Sequence, residues 1–283
     1  MRDRLDRLER LLGTRVDGVH ALGSSHAWTL HHASLADGRD VFVKAASDQA
    51  GVFAAEAAGL RWLAEAGPGT PVPEVVAADE HMLVLPWLPS ASPDPSTAER
   101  LGRELAALHT GARPTVHGAP WDGYIADLPL DNTPDDGEWP RWYAERRLEP
   151  FLRLGARHLS SADVRLVERV MADVETLAGP PEPPSRIHGD LWSGNILWTD
   201  DRALLIDPAA HGGHRETDLA MMALFGTPHL DRILAVYDES APLADGWRAR
   251  IPLHQLHPLL VHVALFGASY RARLVDAARS ALG

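Results

Sequence analysis

The chain reads His188-Gly189-Asp190-Leu191-Trp192-Ser193-Gly194-Asn195 and, a short interval later, Ile206-Asp207-Pro208. Between the two motifs stand Ile196-Leu197-Trp198, the polar Thr199-Asp200-Asp201-Arg202, and Ala203-Leu204-Leu205-Ile206. Two short apolar runs around a polar turn predict a β-hairpin. Such a hairpin returns Asn195 and Asp207 to the same end, where one ion could touch both. A carboxylate and an amide carbonyl are the hard oxygen donors that suit Mg²⁺.

The order of these groups is that of H-x-D-x-x-x-x-N followed by a later Asp, the arrangement of kinase-type phosphoryl transfer. On that reading Asp190 accepts the proton of an attacking hydroxyl. Asn195 and Asp207 hold the metal that bridges the nucleotide phosphates. The nucleophile needs only orientation and a proton acceptor, which one carboxylate provides. A single D-x-x-x-x-N would pass for an acidic loop or a helix cap. The apolar hairpin and the closing Asp favour the catalytic reading.

Working upstream, Trp28-Thr29-Leu30-His31-His32-Ala33 and Asp40-Val41-Phe42-Val43-Lys44 predict a strand pair around Asp37-Gly38. Val43-Lys44 resembles the end of a V-A-I-K strand, whose Lys contacts the α- and β-phosphates. The Ala-rich stretch from Phe53 to Leu63 predicts a helix. Glu56 falls on it where a glutamate would pair with that Lys. Taken alone, Lys44 and Glu56 would read as surface charges.

His81-Met82-Leu83-Val84-Leu85 predicts an apolar strand, followed by the extended Pro86-Trp87-Leu88-Pro89. In a kinase-like fold this is the hinge, where an adenine bonds to one C=O and, two residues on, one N–H. Pro86 can supply only the carbonyl, which leaves the N–H to Leu88. Ser90 to Pro95 is a loop, so an N-lobe is expected over 1–88 and a C-lobe over 89–283. Leu5, Leu8, Leu11 and Leu12 share a face of an opening amphipathic helix. Thr97 to His109 predicts a helix. Thr115 to Pro140 reads as a long loop or a substrate-facing insertion. Helices follow around 142–154 and 162–177, then a buried one from Asp218 to Phe225, and the remainder is helical. The fold class expected is α+β and bilobal.

Composition narrows the function classes. The net charge of −12 lacks the basic footprint of a nucleic-acid binder. It also leaves a nucleotide to be held by local cations and metal. With no cysteine, disulfides and thiolate metal sites are excluded, which fits a reducing cytoplasm. The N-terminus has no apolar signal core, and no run reaches the ~18 apolar residues of a membrane span. His211-Gly212-Gly213-His214 and the pair His254/His257 invite a zinc reading. No third ligand is evident nearby, and Pro258 follows the second pair directly. His254 and His257 are therefore read as helix-surface or packing residues, and His214 as orienting a catalytic-loop or substrate group.

These motifs together resemble the fructosamine kinase (ketosamine-3-kinase) family, within the aminoglycoside-phosphotransferase-like kinases. H-G-D-L-W-S-G-N carries most of the likeness. Phe42-Val43-Lys44, Asp131-Asn132-Thr133-Pro134, Asp207-Pro208-Ala209, the run from Gly213 to Ala220 and Leu265-Phe266-Gly267 add to it. The resemblance spans essentially the whole chain. It implies a protein-kinase-like fold, ATP with Mg²⁺, and phosphorylation of the 3-hydroxyl of a ketosamine. In that family the product decomposes and frees the amine, a deglycation repair.

Carried onto this chain, the resemblance makes Asp190 the base, Asn195 and Asp207 the metal ligands, and Lys44 the phosphate contact fixed by Glu56. Gly23-Ser24-Ser25 becomes the phosphate-covering loop, with one glycine where several are usual. Trp192 becomes either a wall for the sugar or a packing residue, and His214 and Glu216 fall on the substrate side. After D-P-A the family commonly has aromatic residues; here His211 and Gly212 stand there, a change expected at the substrate pocket. The implied partner is a small-molecule ketosamine or a glycated lysine, with no nucleic acid or membrane and the oligomeric state left open. Two other functions compete. One is a phosphotransferase for an aminoglycoside, choline-like alcohol or simple sugar, and the other a nucleotide-binding pseudokinase.

Overall fold

The structure, a computed structural model, describes residues 2–25, 28–46 and 51–283. Its N-terminal part, up to Pro86, is an antiparallel sheet with one helix on each face. Helix α1 (Arg2–Leu12) leads into β1 (Val16–Ser25), β2 (Trp28–Leu35) and β3 (Asp40–Ala45). Helix α2 (Val52–Ala64) follows, and then β4 (Ala77–Ala78) and β5 (Met82–Pro86). The strands lie in the order β1-β2-β3-β5-β4. Side chains alternate across a strand, so β3 splits its residues between two cores. Val41, Val43 and Ala45 join Leu8 of α1 on one face. Phe42 and the β5 residues Leu83 and Leu85 meet Phe53, Ala57 and Leu60 of α2 on the other. Lys44 shares this second face by parity, so the sheet presents it to α2.

The expected strand pair, helix and apolar strand all form. The first strand went unread: β1 is largely exposed and its pairing slips near Gly18 and Gly23, so no apolar alternation marks it.

The second half is mainly helical. Helix α3 (Pro95–Thr110) starts with a capping box in which Asp94 and Thr97 bond each other's backbone. The region read as a loop or insertion contains a small hairpin, β6 (Gly123–Ile125) with β7 (Leu128–Leu130). It is pinned by buried Arg147, whose Nη2 donates to Asn132 Oδ1 (2.6 Å) and Nη1 to the Asp131 carbonyl (2.7 Å). Helices α4 (Trp139–Tyr143) and α5 (Glu149–Gly155) are joined by one wide π-turn. Next come α6 (Ser161–Ala172) and α7 (Val174–Leu177).

The motif region, from His188 to Pro208 and its flanks, is a set of short strands: β8 (Ser185–Ile187), β9 (Ile196–Trp198), β10 (Ala203–Leu205) and β11 (His211–Gly213). β9 and β10 pair antiparallel, as the hairpin reading requires, and β11 pairs with β8. The chain ends with α8 (Glu216–Leu224), α9 (Leu230–Ser240), α10 (Trp247–Phe266) and α11 (Arg271–Leu282). Helix α10 continues through Pro252 and Pro258. Among the described residues, the stretch Trp247–Leu282 has the length and apolar content of a membrane span. Half of its apolar window is buried inside the protein, where α10 packs on α5, α8 and α11.

Leu191, Ile196, Trp198 and Leu205 of the motif region share a core with Leu63 of α2, Leu101 and Leu105 of α3, and Leu219 of α8. This shared core fixes the motif region against α2, and with it the carboxylates of one against the sheet lysine of the other.

Candidate active site

A cavity of about 510 Å³ collects Lys44 from β3, Glu56 from α2, and Asp190, Asn195 and Asp207 from the motif region. Lys44 Nζ donates to Glu56 Oε2 at 2.9 Å and to Asp207 Oδ1 at 2.8 Å. It also lies 4.9 Å from the ring centroid of Trp28. Burial lowers the Lys44 pKa, but the two carboxylates outweigh it and the ammonium is held. Glu56 is driven the other way: burial raises its pKa, and Lys44 offsets this only in part. Burial also pushes Asp207 up, yet its pKa ends lowered because Lys44 lies against it.

Asp190 follows Gly189, whose φ is +80°. A Cβ at Gly189 would come within 2.3 Å of the Ala209 carbonyl oxygen, so the loop requires glycine there. Burial pushes the Asp190 carboxyl up to about 8; an Asn195 bond opposes this, while Asp207 and Asp218 add to it. Asn195 Nδ2 donates to the Asp190 carbonyl (2.9 Å) and to Asp190 Oδ2 (3.0 Å). With its amide nitrogen so placed, Asn195 turns its carbonyl oxygen away from Asp190. Asp207 is a non-glycine residue at φ +54°, backbone strain of the kind that gathers at functional sites.

The loop is held from behind by residues the sequence reading did not single out. Asp218 accepts N–H bonds from His188 (2.7 Å) and Gly189 (2.9 Å). His109 Nε2 lies 3.1 Å from the same carboxylate, and Tyr237 Oη 2.8 Å from His109 Nδ1. His188 Nε2 faces the Ile206 carbonyl at 2.9 Å, so it carries the proton and Nδ1 accepts from the Asp190 N–H at 3.3 Å. One imidazole thus ties the loop before Asp190 to the strand before Asp207. The sequence signal was a buried helix with an aspartate at its start.

The remaining expected residues divide. Ser25 lines the cavity; Gly23 and Ser24 do not. Pro86 pairs with Val41 at the end of β5, Trp87 N–H donates to the Asp40 carbonyl (3.0 Å), and neither Pro86 nor Leu88 lines the cavity. Trp192 lines it and is 39% exposed. Its indole folds over Gly194, where a Cβ would meet the ring at 2.2 Å. Trp192 therefore both packs and forms wall.

His214 and Glu216, expected on the substrate side, do not line this cavity; both are buried. They belong to a separate cluster with His254, in which the potential ligand atoms of all three lie within 4.8 Å of one another. The third ligand missing from the zinc reading is thus present as Glu216. The donor set nevertheless does not suit a metal. Both Glu216 oxygens are taken by Arg250, Nη2 to Oε1 at 2.5 Å and Nε to Oε2 at 2.9 Å. His214 Nδ1 accepts from the Glu216 N–H (3.2 Å), which puts the ring proton on Nε2 and removes that lone pair.

His211 and Gly212 also stand away from the cavity. Gly212 sits between β8 and Gly118, and His211 Nδ1 bonds the Ala209 carbonyl at 2.8 Å. The 115–140 region, read as a loop or a substrate-facing insertion, sends Trp121 and Tyr124 to the cavity; what the sequence did not single out there is the far wall of Phe225, His262, Phe266 and Tyr270.

A family model described as fructosamine kinase matches residues 14–282. A protein of Thermus thermophilus designated a ketoamine kinase is 35% identical over 272 residues, covering 94% of this chain and 95% of that one. A crystal structure of a protein from Thermobifida fusca described as a fructosamine-3-kinase superposes with a TM-score of 0.95. It is 56% identical and covers 100% of this chain and 99% of its own. An aminoglycoside phosphotransferase, APH(4)-Ia, crystallised with ADP and hygromycin B, is 16% identical at a TM-score of 0.69, covering 99% of each chain, and shares the fold.

Proposed function

The chain belongs to the fructosamine kinase family and is an ATP-dependent phosphotransferase acting on a hydroxyl; from that premise we propose that it phosphorylates the sugar hydroxyl of a ketosamine. The observation that carries the reading is the meeting of Lys44, Glu56, Asp190, Asn195 and Asp207 around one cavity, with Lys44 bonded to both neighbouring carboxylates. A pseudokinase has no need of the full set.

In this reading Lys44, oriented by Glu56, contacts the nucleotide phosphates. Residues 1–88 form the nucleotide-side lobe and 89–283 the lobe that carries the acceptor. The Asn195 carbonyl oxygen and the Asp207 carboxylate fit Mg²⁺, which would neutralise charge on the phosphates when bound. Asp190 accepts the proton of the sugar hydroxyl as that oxygen attacks the γ-phosphorus and ADP departs. His188, Asp218 and Asn195 hold Asp190 in place. Trp192 gives the sugar an apolar face beside the base. The phosphorylated ketosamine would then break down and release its amine, a deglycation repair fitting a cytoplasmic protein.

The test is ADP release with Mg-ATP against fructose-lysine, ribulose-lysine, kanamycin, choline and no acceptor. Turnover confined to the ketosamines is the expected result. Turnover confined to kanamycin or choline overturns the substrate, and nucleotide binding without turnover on any acceptor overturns the enzyme.

A further inference from the structure

Past Asp190 and Trp192 the cavity runs toward the end of α10, and its wall there is aromatic. Phe225, His262, Phe266 and Tyr270 all line it. Their ring centroids are close: Phe225 to His262 5.0 Å, His262 to Tyr270 4.7 Å, His262 to Phe266 5.6 Å and Phe266 to Tyr270 5.9 Å. Trp192 joins the group edge-on to Phe225 at 6.2 Å. Phe266 is left 55% exposed, although an aromatic side chain gains by being covered.

Charge on this wall has one sign. Among the described residues, the carboxylates lining the cavity are Glu56, Asp190 and Asp207, all in the proposed catalytic group. A charged group nearby is Arg273, whose guanidinium carbon lies 5.9 Å from the Phe225 centroid. His262 adds no charge: burial lowers its pKa, and its Nδ1 faces the Pro258 carbonyl at 2.7 Å, which assigns the proton to Nδ1 and leaves Nε2 as an acceptor. Among the described residues, a second ammonium on an acceptor would find no carboxylate on this wall and an arginine close by. A flat or branched apolar group would find rings to cover.

We propose that this wall selects the amine half of the acceptor, favouring ketosamines whose amine carries an aromatic or bulky apolar substituent over those carrying a second cation. The selection rests on the reading of this cavity as a ketosamine kinase site. It takes that reading further, because the sugar half alone does not explain an exposed aromatic shelf contiguous with the catalytic groups.

The test uses the fructosyl adducts of benzylamine and putrescine, which share the sugar and differ in the amine. With Mg-ATP, kcat/KM is expected to favour the benzylamine adduct by at least about tenfold, the scale on which apolar pockets discriminate. Phe266→Ala should raise KM for that adduct by about tenfold. The putrescine adduct should lose less, by about threefold at most in kcat/KM, while Phe266→Leu retains most of the preference. Equal or reversed preference overturns the proposal, as does a Phe266→Ala variant that weakens both adducts alike. Calorimetric binding of the two adducts in the presence of a non-hydrolysable ATP analogue separates the two readings. Absence of turnover on both adducts counts against the kinase assignment. The order of the affinities still decides the shelf: tighter benzylamine binding sustains it, and equal or absent binding overturns it.

Discussion

Around Asp207, among the described residues, the protein gathers three carboxylates, Glu56, Asp190 and Asp207, about one ammonium, Lys44. Around Glu216 it sets one carboxylate against one guanidinium, Arg250, and burial keeps His214 and His254 neutral. By residue type the two clusters are hard to tell apart, since each has a buried acid, a buried cation and perturbed titration. They differ in balance and in access. The Glu216 cluster is neutral in sum, with both oxygens of its acid bonded by Arg250 and none of its members on the main cavity. The Asp207 cluster has more acid than base, opens onto the cavity and includes a residue at positive φ. Burial and perturbed pKa alone therefore do not mark a functional site. An unbalanced cluster facing a cavity does, because a bound cation would complete it.

The sharpest way to break this comparison is at the base. Asp190→Asn should lower kcat by roughly 10²–10⁴-fold, the usual scale for losing a general base, while nucleotide affinity is kept. Near-normal turnover would remove Asp190 from the role. The counterpart in the balanced cluster is Glu216→Ala, which leaves the buried Arg250 charge without its carboxylate, bonded only to the Asp245 and Ala244 carbonyls. Breaking a buried pair in this way costs about 3–5 kcal/mol, read as a large fall in Tm or in the denaturant midpoint. The folded fraction should keep its kcat. Normal stability with lost activity would move Glu216 back to the substrate side, where its sequence position had suggested it lay.

Asp207→Ala should act between these two. It removes one of the two proposed metal donors and the second partner of Lys44, so Mg-ATP affinity is expected to fall at least about tenfold. Affinity for ATP without Mg²⁺ should fall less. Calorimetry with and without the metal reads the difference, and equal losses in both would take Asp207 out of the metal site.

The meeting of the five proposed site residues was legible in the sequence because each part is set by local geometry. A hairpin fixes Asn195 against Asp207, a strand end fixes Lys44, and one helix face fixes Glu56. Each leaves a short-range pattern in the chain. What could not be read depends on the packing of distant elements. His214 and Glu216 adjoin the motif region, yet their side chains turn inward to α10, and no local period records that. The aromatic wall comes from residues after α8 and at the end of α10. Its traces in the chain are Leu265-Phe266-Gly267 and the apolar run from Leu259 to Phe266 interrupted by His262. The β6–β7 hairpin is held by Arg147 from a later helix, so the chain around it reads as loop.

The smallest effect separates the two clusters by sign. The Asp190 carboxyl is pushed up to about 8 in the folded protein, so between its ordinary value and 8 the folded state binds more protons than the unfolded one. Stability from this group is present at low pH and is lost as pH rises through that window. Glu216 runs the opposite way. Burial would raise its pKa, but the bonds from His254 and Arg250 bring it down to about 2. Its contribution is present above the ordinary value and is lost as pH falls toward 2. Asp190→Asn removes the charge that burial penalises, so it should be more stable than the parent at pH 8.5. Discounted for its partial exposure to solvent, the gain is on the order of 1 kcal/mol, or roughly 2–4 °C in Tm, and it should shrink as pH falls toward 4.5. Glu216→Gln should show its largest deficit near neutral pH and a smaller one below pH 4. If melting curves of the two variants against the parent bend the same way with pH, the Asp190 carboxyl is not strained by its setting, and the contrast between an unbalanced site and a balanced one loses its electrostatic basis.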